Sequence, residues 1–263
     1  MNSFNISLED LEYSLIKYKC EFLYGFKDQF LKYDKNDIFI RFGKIAENLE
    51  SQKLLSRSFS GDITYDEKYK QVLDAIINVE NFYEISYVVN GSIIKKYRIY
   101  NINDNNVIIK ISSNDENELD YNNLNISLIS DNDLNYGFEK FCEMEKIIPS
   151  NNILKDTLSV CNDYLVKIKK NKTEDFSKIF NEFSYNTNEL MNKLNKIIRN
   201  PVKYISILKT NMKTRKSKVR NYIYDLSSII KMDFKIQGEK HNWIINELSK
   251  DLLNDEFKQI IKM

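Results

Sequence analysis

The stretch LMNKLNKIIRNPVKYISILKTNMKTRKSKVRNYIY, residues 190–224, holds ten cationic side chains and no aspartate or glutamate. They are Lys193, Lys196, Arg199, Lys203, Lys209, Lys213, Arg215, Lys216, Lys218 and Arg220. The whole chain has a net charge of only +1, so positive charge is gathered here and balanced elsewhere, as on a polyanion-binding surface. The periodicity of this stretch decides the reading of the C-terminal half. Ile205, Leu208, Met212, Val219, Ile223, Leu226 and Ile230 recur at steps of three, four or seven, which predicts the core-facing stripe of an amphipathic helix from Pro201 to about Met232. Lys209, Lys213, Lys216 and Arg220, at steps of four, three and four, would then share a second face. The stripe meets Arg215 and Lys216 where an apolar residue is due, so a break is expected between Thr210 and Ser217. Asn211, Thr214, Ser217 and Asn221 can hydrogen-bond phosphate oxygens while Lys and Arg supply charge. The alternatives are a solvated face, or pairing with an acidic surface of the same protein.

N-terminal to this block the charge reverses. Between Asn103 and Glu145 ten acidic residues face only Lys110 and Lys140, a balance of about −8 (2 − 10). Such a segment can confine nucleic acid to the basic surface, or dock the basic block of a second copy in a homo-oligomer. From Phe82 to Ser130 the pattern is that of a small antiparallel sheet. Tyr83, Ile85, Tyr87 and Val89 alternate, Asn90-Gly91 supplies a type I′ turn, and Ile93 to Tyr100 returns. Val107 to Ile111 and Leu124 to Ile129 add two more strands. Tyr83, Tyr87, Tyr97 and Tyr100 are either packing residues or a stacking platform for single strands.

Upstream, Ser7 and Asp10 resemble a capping box, followed by a helical stripe from Leu8 to Phe30. Ile38 to Phe42 reads as a short strand, and Lys44 to Leu55 and Asp66 to Asn78 as helices. From Leu134 the reading is helical: Leu134 to Ile147, Ser150 to Lys170, Asp175 to Phe183, Asn188 to Ile198, the basic stretch, and His241 to Ile261, with a possible strand at Phe234 to Ile236. The fold class expected is α+β, with N-terminal helices, a central antiparallel sheet of about four strands and a C-terminal helical domain. The expected domains are 1–133 and 134–263.

Hydrophobic residues make up 42% of the 263, ample for a core. Asparagine occurs 33 times and alanine twice, at Ala46 and Ala75, the usage of a low-GC genome. No basic leader precedes an apolar core at the N-terminus, and no stretch approaches the roughly 18 apolar residues of a membrane span, so a cytoplasmic protein is expected. Cys20, Cys142 and Cys161 are odd in number and far apart, which suits thiols in a reducing compartment.

Catalytic chemistry is sparse. His241 is the sole histidine, so His-rich metal sites are excluded and any Ser or Cys triad would need this one residue, near the start of the last helix. The six glycines form neither GxGxxG nor a Walker phosphate loop. Glu256-Phe257-Lys258 is the one Glu-x-Lys, without a neighbouring strand in this reading, and Glu143 and Glu145 point apart on a helix. No cofactor motif and no catalytic constellation emerge.

Phe183, Asn186-Thr187, Leu190-Met191, Lys193-Leu194 and Ile197, with Phe234-Lys235-Ile236 and Leu252-Leu253-Asn254-Asp255, resemble the pattern of the KwaB family of the Kiwa anti-phage system. The resemblance covers about eighty residues and implies a DNA-binding defence protein that works with a membrane partner. Residues and resemblance together lead to a non-enzymatic nucleic-acid-binding protein that contacts DNA through the basic block, in anti-phage defence or a mobile element. The alternative is a protein–protein interaction module, an adaptor or inhibitor with acidic and basic docking faces. An enzyme with a site of unfamiliar form is the third class.

Overall fold

The computed structural model describes residues 3–18, 20, 23–89, 92–102, 105–114, 118–130, 157–161, 192–193, 203–224, 229–237, 240–249, 252–253 and 255–256. The elements run β1 (Ser3–Ile6), α1 (Leu8–Lys17), a 3-10 turn (Phe30–Lys32), α2 (Lys35–Ser51), β2 (Leu55–Arg57), β3 (Ile63–Tyr65) and α3 (Glu67–Ile77). Strands follow: β4 (Asn81–Val89), β5 (Ser92–Ile102), β6 (Asn105–Ser112), β7 (Leu124–Ser130), β8 (Thr157–Cys161), β9 (Lys203–Asn211), β10 (Lys216–Tyr224), β11 (Ile229–Gln237) and β12 (Lys240–Leu248). Ten strands form one sheet in the order β1-β7-β6-β5-β4-β9-β10-β11-β12-β8, and β2 pairs with β3. Every defined register is antiparallel, from Ser3↔Ser127 to Asn242↔Cys161.

This sheet overturns the α+β reading with about four central strands and a C-terminal helical domain. Four of its ten strands, β8, β9, β10 and β12, and the first half of β11 lie where helices were expected. The cause is geometric: residues four apart share a face on a helix and on a strand alike, so steps such as Val219 to Ile223 fit both. Ile205, Ile207, Val219, Tyr222, Ile223, Ile229 and Ile230 are β-branched or aromatic, and that composition tips the balance to strands. His241 accordingly sits in β12 opposite Ile236, not at a helix start. The expected segment Phe234 to Ile236 is part of β11. Leu134 to Ile147, Asp175 to Phe183 and the Asn90-Gly91 turn lie outside the described residues.

The chain packs as two units, the first comprising Met1–Glu84, Lys95–Ser130 and Thr210–Lys216. Its core joins α1, α2 and α3 to buried strand residues such as Phe82, Tyr100, Val107, Ile109 and Ile126. The capping box is present: Asp10 N donates to Ser7 Oγ and Ser7 N to Asp10 Oδ2, each at 3.0 Å. α1 stops at Lys17, far short of the expected Phe30, and Cys20 N turns back to Leu15 O at 2.8 Å. α2 replaces both the strand at Ile38 to Phe42 and the separate helix after it, because Asp34 caps its first turn through Asn36 N and Asp37 N. Ile38, Phe42, Ile45 and Leu49 turn inward, leaving Phe39 and Ile40 exposed. Within the core Tyr69 donates to Ser14 Oγ at 3.0 Å and Ser14 Oγ to Asp10 O at 2.9 Å, satisfying buried polar groups in series.

Glu12 is also buried in this unit and accepts from Gln29 N at 2.8 Å. Burial first, and Asp28 and Glu9 after it, outweigh that bond and push its carboxyl up to about 7. The folded chain therefore holds a proton that the unfolded chain releases near pH 4.3. Glu12 contributes stability that is complete below that pH and lost as pH rises through 7. Glu12→Gln should keep the acceptor, leave stability at pH 4 nearly unchanged and raise it by about 1–2 kcal/mol at pH 8. Urea denaturation of both proteins at the two pH values checks this, and an equal difference at both would exclude Glu12 as the titrating group.

The second unit comprises Ile85–Ile94, Asp131–Lys209 and Ser217–Met263. Among its described residues Ile205, Ile207, Tyr222, Ile230, Ile245 and Leu253 are nearly or fully buried.

Candidate interaction surface

The basic stretch folds as strand, turn and strand. Asn211 Oδ1 accepts from Thr214 N at 2.8 Å and from Thr214 Oγ1 at 3.0 Å, so a side chain shapes the turn without glycine. Arg215 follows with φ of 54°, the left-handed region that disfavours side chains. The expected ridge of Lys209, Lys213, Lys216 and Arg220 on one helical face therefore does not exist. Lys209 lies on β9, Lys213 in the turn, and Lys216 and Arg220 on β10. Alternation instead places Lys216, Lys218 and Arg220 on one face of β10.

Residues Lys213 to Lys218 are all exposed. Lys213 Nζ lies 2.8 Å from Glu80 Oε1, an ion pair of the first unit that is largely open to solvent. In the second unit the cations are held more tightly. Lys193 Nζ reaches both Glu247 oxygens, at 3.0 and 3.1 Å. Arg220 Nε stands 3.1 Å from Asp233 Oδ1, an ion-pair distance without hydrogen-bond alignment, and its Nη1 is 3.8 Å from Glu256. Lys231 bridges the same carboxylates, at 3.3 Å to Asp233 and 2.5 Å to Glu256. Tyr222 donates to Glu256 Oε2 at 3.1 Å, and burial, with Glu256 adding to it, raises its phenol well above the usual range. Two cations and two carboxylates thus close on themselves. Burial, then Lys218 and Arg220, lowers the Lys209 ammonium. Lys203 opens β9 half-buried, and Lys196 and Arg199 lie outside the described residues.

The carboxylates that hold these cations, Glu80, Asp233, Glu247 and Glu256, all fall outside the acidic segment from Asn103 to Glu145. Sequence spacing gives no signal for them, since Glu80 and Lys213 are 133 positions apart. Tyr83, Tyr87 and Tyr100 are 0–1% exposed, so their rings are packing residues and offer no stacking face. Among the described residues no group of three His, Cys, Asp or Glu side chains could hold a metal ion, and no helix is long and apolar enough to cross a membrane.

Arg215→Gly should relieve the left-handed backbone and stabilise the chain by about 0.5–1 kcal/mol. Thermal melting checks it; a lower melting temperature would mean that the arginine side chain supports the turn.

No protein-family model matches the sequence, and no curated protein does. A likeness appears among solved structures. A chain from the structure of the Mycobacterium tuberculosis type VII secretion system chaperone EspG5 in complex with the PE25-PPE41 dimer superposes with a TM-score of 0.58 at 7% identity. The match covers 96% of this chain and 93% of that one, and at such identity the likeness is one of fold.

Proposed function

We propose that this chain is a protein-interaction module that docks a partner protein through the exposed basic tip between β9 and β10. The observation that carries the reading is the likeness of fold, over nearly the whole chain, to a chain from a chaperone–partner complex. Electrostatics is consistent with it: Lys193 and Arg220 are engaged by the protein's own carboxylates and Lys213 by Glu80 in an exposed pair, while Arg215, Lys216 and Lys218 are exposed at the tip and form no ion pair among the described residues. Arg215 keeps a charge where glycine would be less strained, and strain of this kind clusters at functional positions. The test is co-purification of the tagged chain from cells that encode it, with and without Lys213→Glu and Lys216→Glu, read by quantitative mass spectrometry after nuclease treatment. At least one acidic protein should be lost on charge reversal. A set of partners that ignores the reversal would remove the basic tip as a docking face.

One observation favours nucleic acid as a second reading: Arg215, Lys216 and Lys218 are exposed and form no ion pair among the described residues. It is also what the resemblance to KwaB implies. On this reading Lys216→Gln with Lys218→Gln should weaken binding to all DNA sequences alike and lower the salt slope by about two. Fluorescence anisotropy on labelled duplex and single strands at two salt concentrations measures it, and an unchanged slope excludes these phosphate contacts.

A further inference from the structure

β1 pairs with β7 alone among the described residues, through Ser3↔Ser127 to Ile6↔Leu124, and so ends the sheet on that side. An antiparallel edge strand turns the N–H and C=O groups of alternate residues away from its single partner. Beside β1, between the strand and α2, lies a cavity of about 330 Å³ within the first unit. Its wall is rich in amides: Asn5, Asn48, Gln52, Asn122 and Asn123. Primary amides donate and accept, as the two edges of a peptide group require, although Asn5 Oδ1 already accepts from Asn125 at 2.8 Å and Asn48 already donates to Asp10 at 3.1 Å and accepts from Gln52 at 3.4 Å.

The charge of the groove is also defined. Asp10 is engaged by Ser7 N and by Asn48 Nδ2 at 3.1 Å. Glu9 is engaged by Arg41 Nε at 2.8 Å, Tyr33 O–H at 2.9 Å and Lys32 at 3.2 Å. Burial by itself raises the Glu9 carboxyl, and these three bonds outweigh it and hold it below the usual range. Of the charges that line the groove, Arg41 and Lys44 stand against Glu9 and Asp10, and Lys32 reaches Glu9 from outside the lining. Lys44 is exposed and forms no ion pair among the described residues.

We propose that this groove takes up an extended acidic segment of a partner protein, which adds as a strand to β1 and sets a carboxylate on Lys44. Main-chain hydrogen bonds would supply affinity and the amide wall would fix register, as in strand addition generally. The groove rests on the interaction reading only in that its partner is a protein. It does not use the basic tip, so reversal of Lys213 and Lys216 leaves it intact and the two can fail separately.

The experiment titrates the full chain into three short labelled peptides with blocked ends: alternating threonine and glutamate, the lysine counterpart, and the glutamate peptide N-methylated at alternate residues. The glutamate peptide should bind, and the other two at least about tenfold more weakly. Lys44→Glu, at an exposed position where folding is undisturbed, should weaken the glutamate peptide roughly tenfold and strengthen the lysine peptide, since reversal both removes an attraction and adds a repulsion. Equal binding of the N-methylated peptide overturns strand addition, and an indifferent Lys44→Glu variant overturns the charge assignment. Failure of all three peptides to bind overturns the proposal. A dimer in sedimentation that Lys44→Glu dissolves and the glutamate peptide does not would replace it with pairing of two copies.

Discussion

Gly25→Val should cost the first unit about 4 kcal/mol and lower its melting temperature by roughly 10 °C. Two independent costs add. Gly25 has φ of +90°, where a β-branched residue is a severe outlier. A Cβ there would also lie 2.7 Å from Phe82 Cζ and 3.3 Å from Arg98 Nε. Neither neighbour can yield easily. Phe82 is 1% exposed and stacks edge-on against Tyr24 at 4.7 Å, while Arg98 is fixed by Glu84 at 3.0 Å and lies 3.7 Å from the Phe26 ring centroid. The loop around Gly25 is pinned as well, since Tyr100 donates to Tyr24 O at 2.7 Å. Phe82→Leu should relieve only the steric part, so the double variant should be more stable than the sum of the singles predicts. Melting of Gly25→Val within a degree or two of the parent would show that the loop shifts freely and that this reading of its packing is wrong.

Lys193→Ala should destabilise the second unit by about 3 kcal/mol, the largest effect expected for any of the ten cations. The Glu247 side chain is 1% exposed, in β12 opposite the fully buried Ile230, and the variant withdraws the ammonium that both of its oxygens hold. Lys193 is 26% exposed, so entering water offsets part of the loss and keeps the value at the low end for broken buried pairs. Replacing both partners, as Lys193→Met with Glu247→Leu, should restore most of the stability, because the ammonium and the carboxylate of the pair are then removed together. Trp243 is the sole tryptophan and lies in β12, so its fluorescence follows this unit through denaturant. A loss below about 1 kcal/mol would return Lys193 to the set of side chains available for a ligand.

How far the sequence could be read depended on whether local signals coincided with the final structure. The capping box at Ser7, the helical pattern from Asp66 to Asn78 and the alternation from Tyr83 to Tyr100 are local signals, and a helix starts after Ser7, a helix fills Glu67–Ile77 and strands form on both sides of residues 90–91. The strands β6 and β7 follow for the same reason. The basic stretch defeated the same approach because its turn has no glycine or proline. Asn211 and a left-handed Arg215 make the reversal, and neither stands out among so many Asn and Lys. Once the turn was missed, apolar steps of four read as a helix. The candidate surface was legible as composition, ten cations in one block, and not as geometry. Partners such as Glu247 and Glu256 are fixed by strand register and chain return, which leave no trace in spacing. The groove at β1 was invisible for a related reason, since its wall combines residues near 5, 48 and 122 that only the fold brings together.

The order of strands also sets a timetable for synthesis. Thr157 in β8 is the register partner of Asn246 in β12, 89 residues later (246 − 157). At roughly 5–20 residues per second a ribosome takes between about 4 and 18 s to bridge that gap. The first unit waits too, because its segment Thr210–Lys216 is made long after Ser130. A nascent chain thus carries strands with their hydrogen-bonding edges uncovered while the segments that complete both units are still in the exit tunnel, and pairing so distant in sequence is slow even after release. Translation speed through residues 131–240 therefore governs how long those edges are open to other chains, and synonymous codons in that window become a determinant of yield.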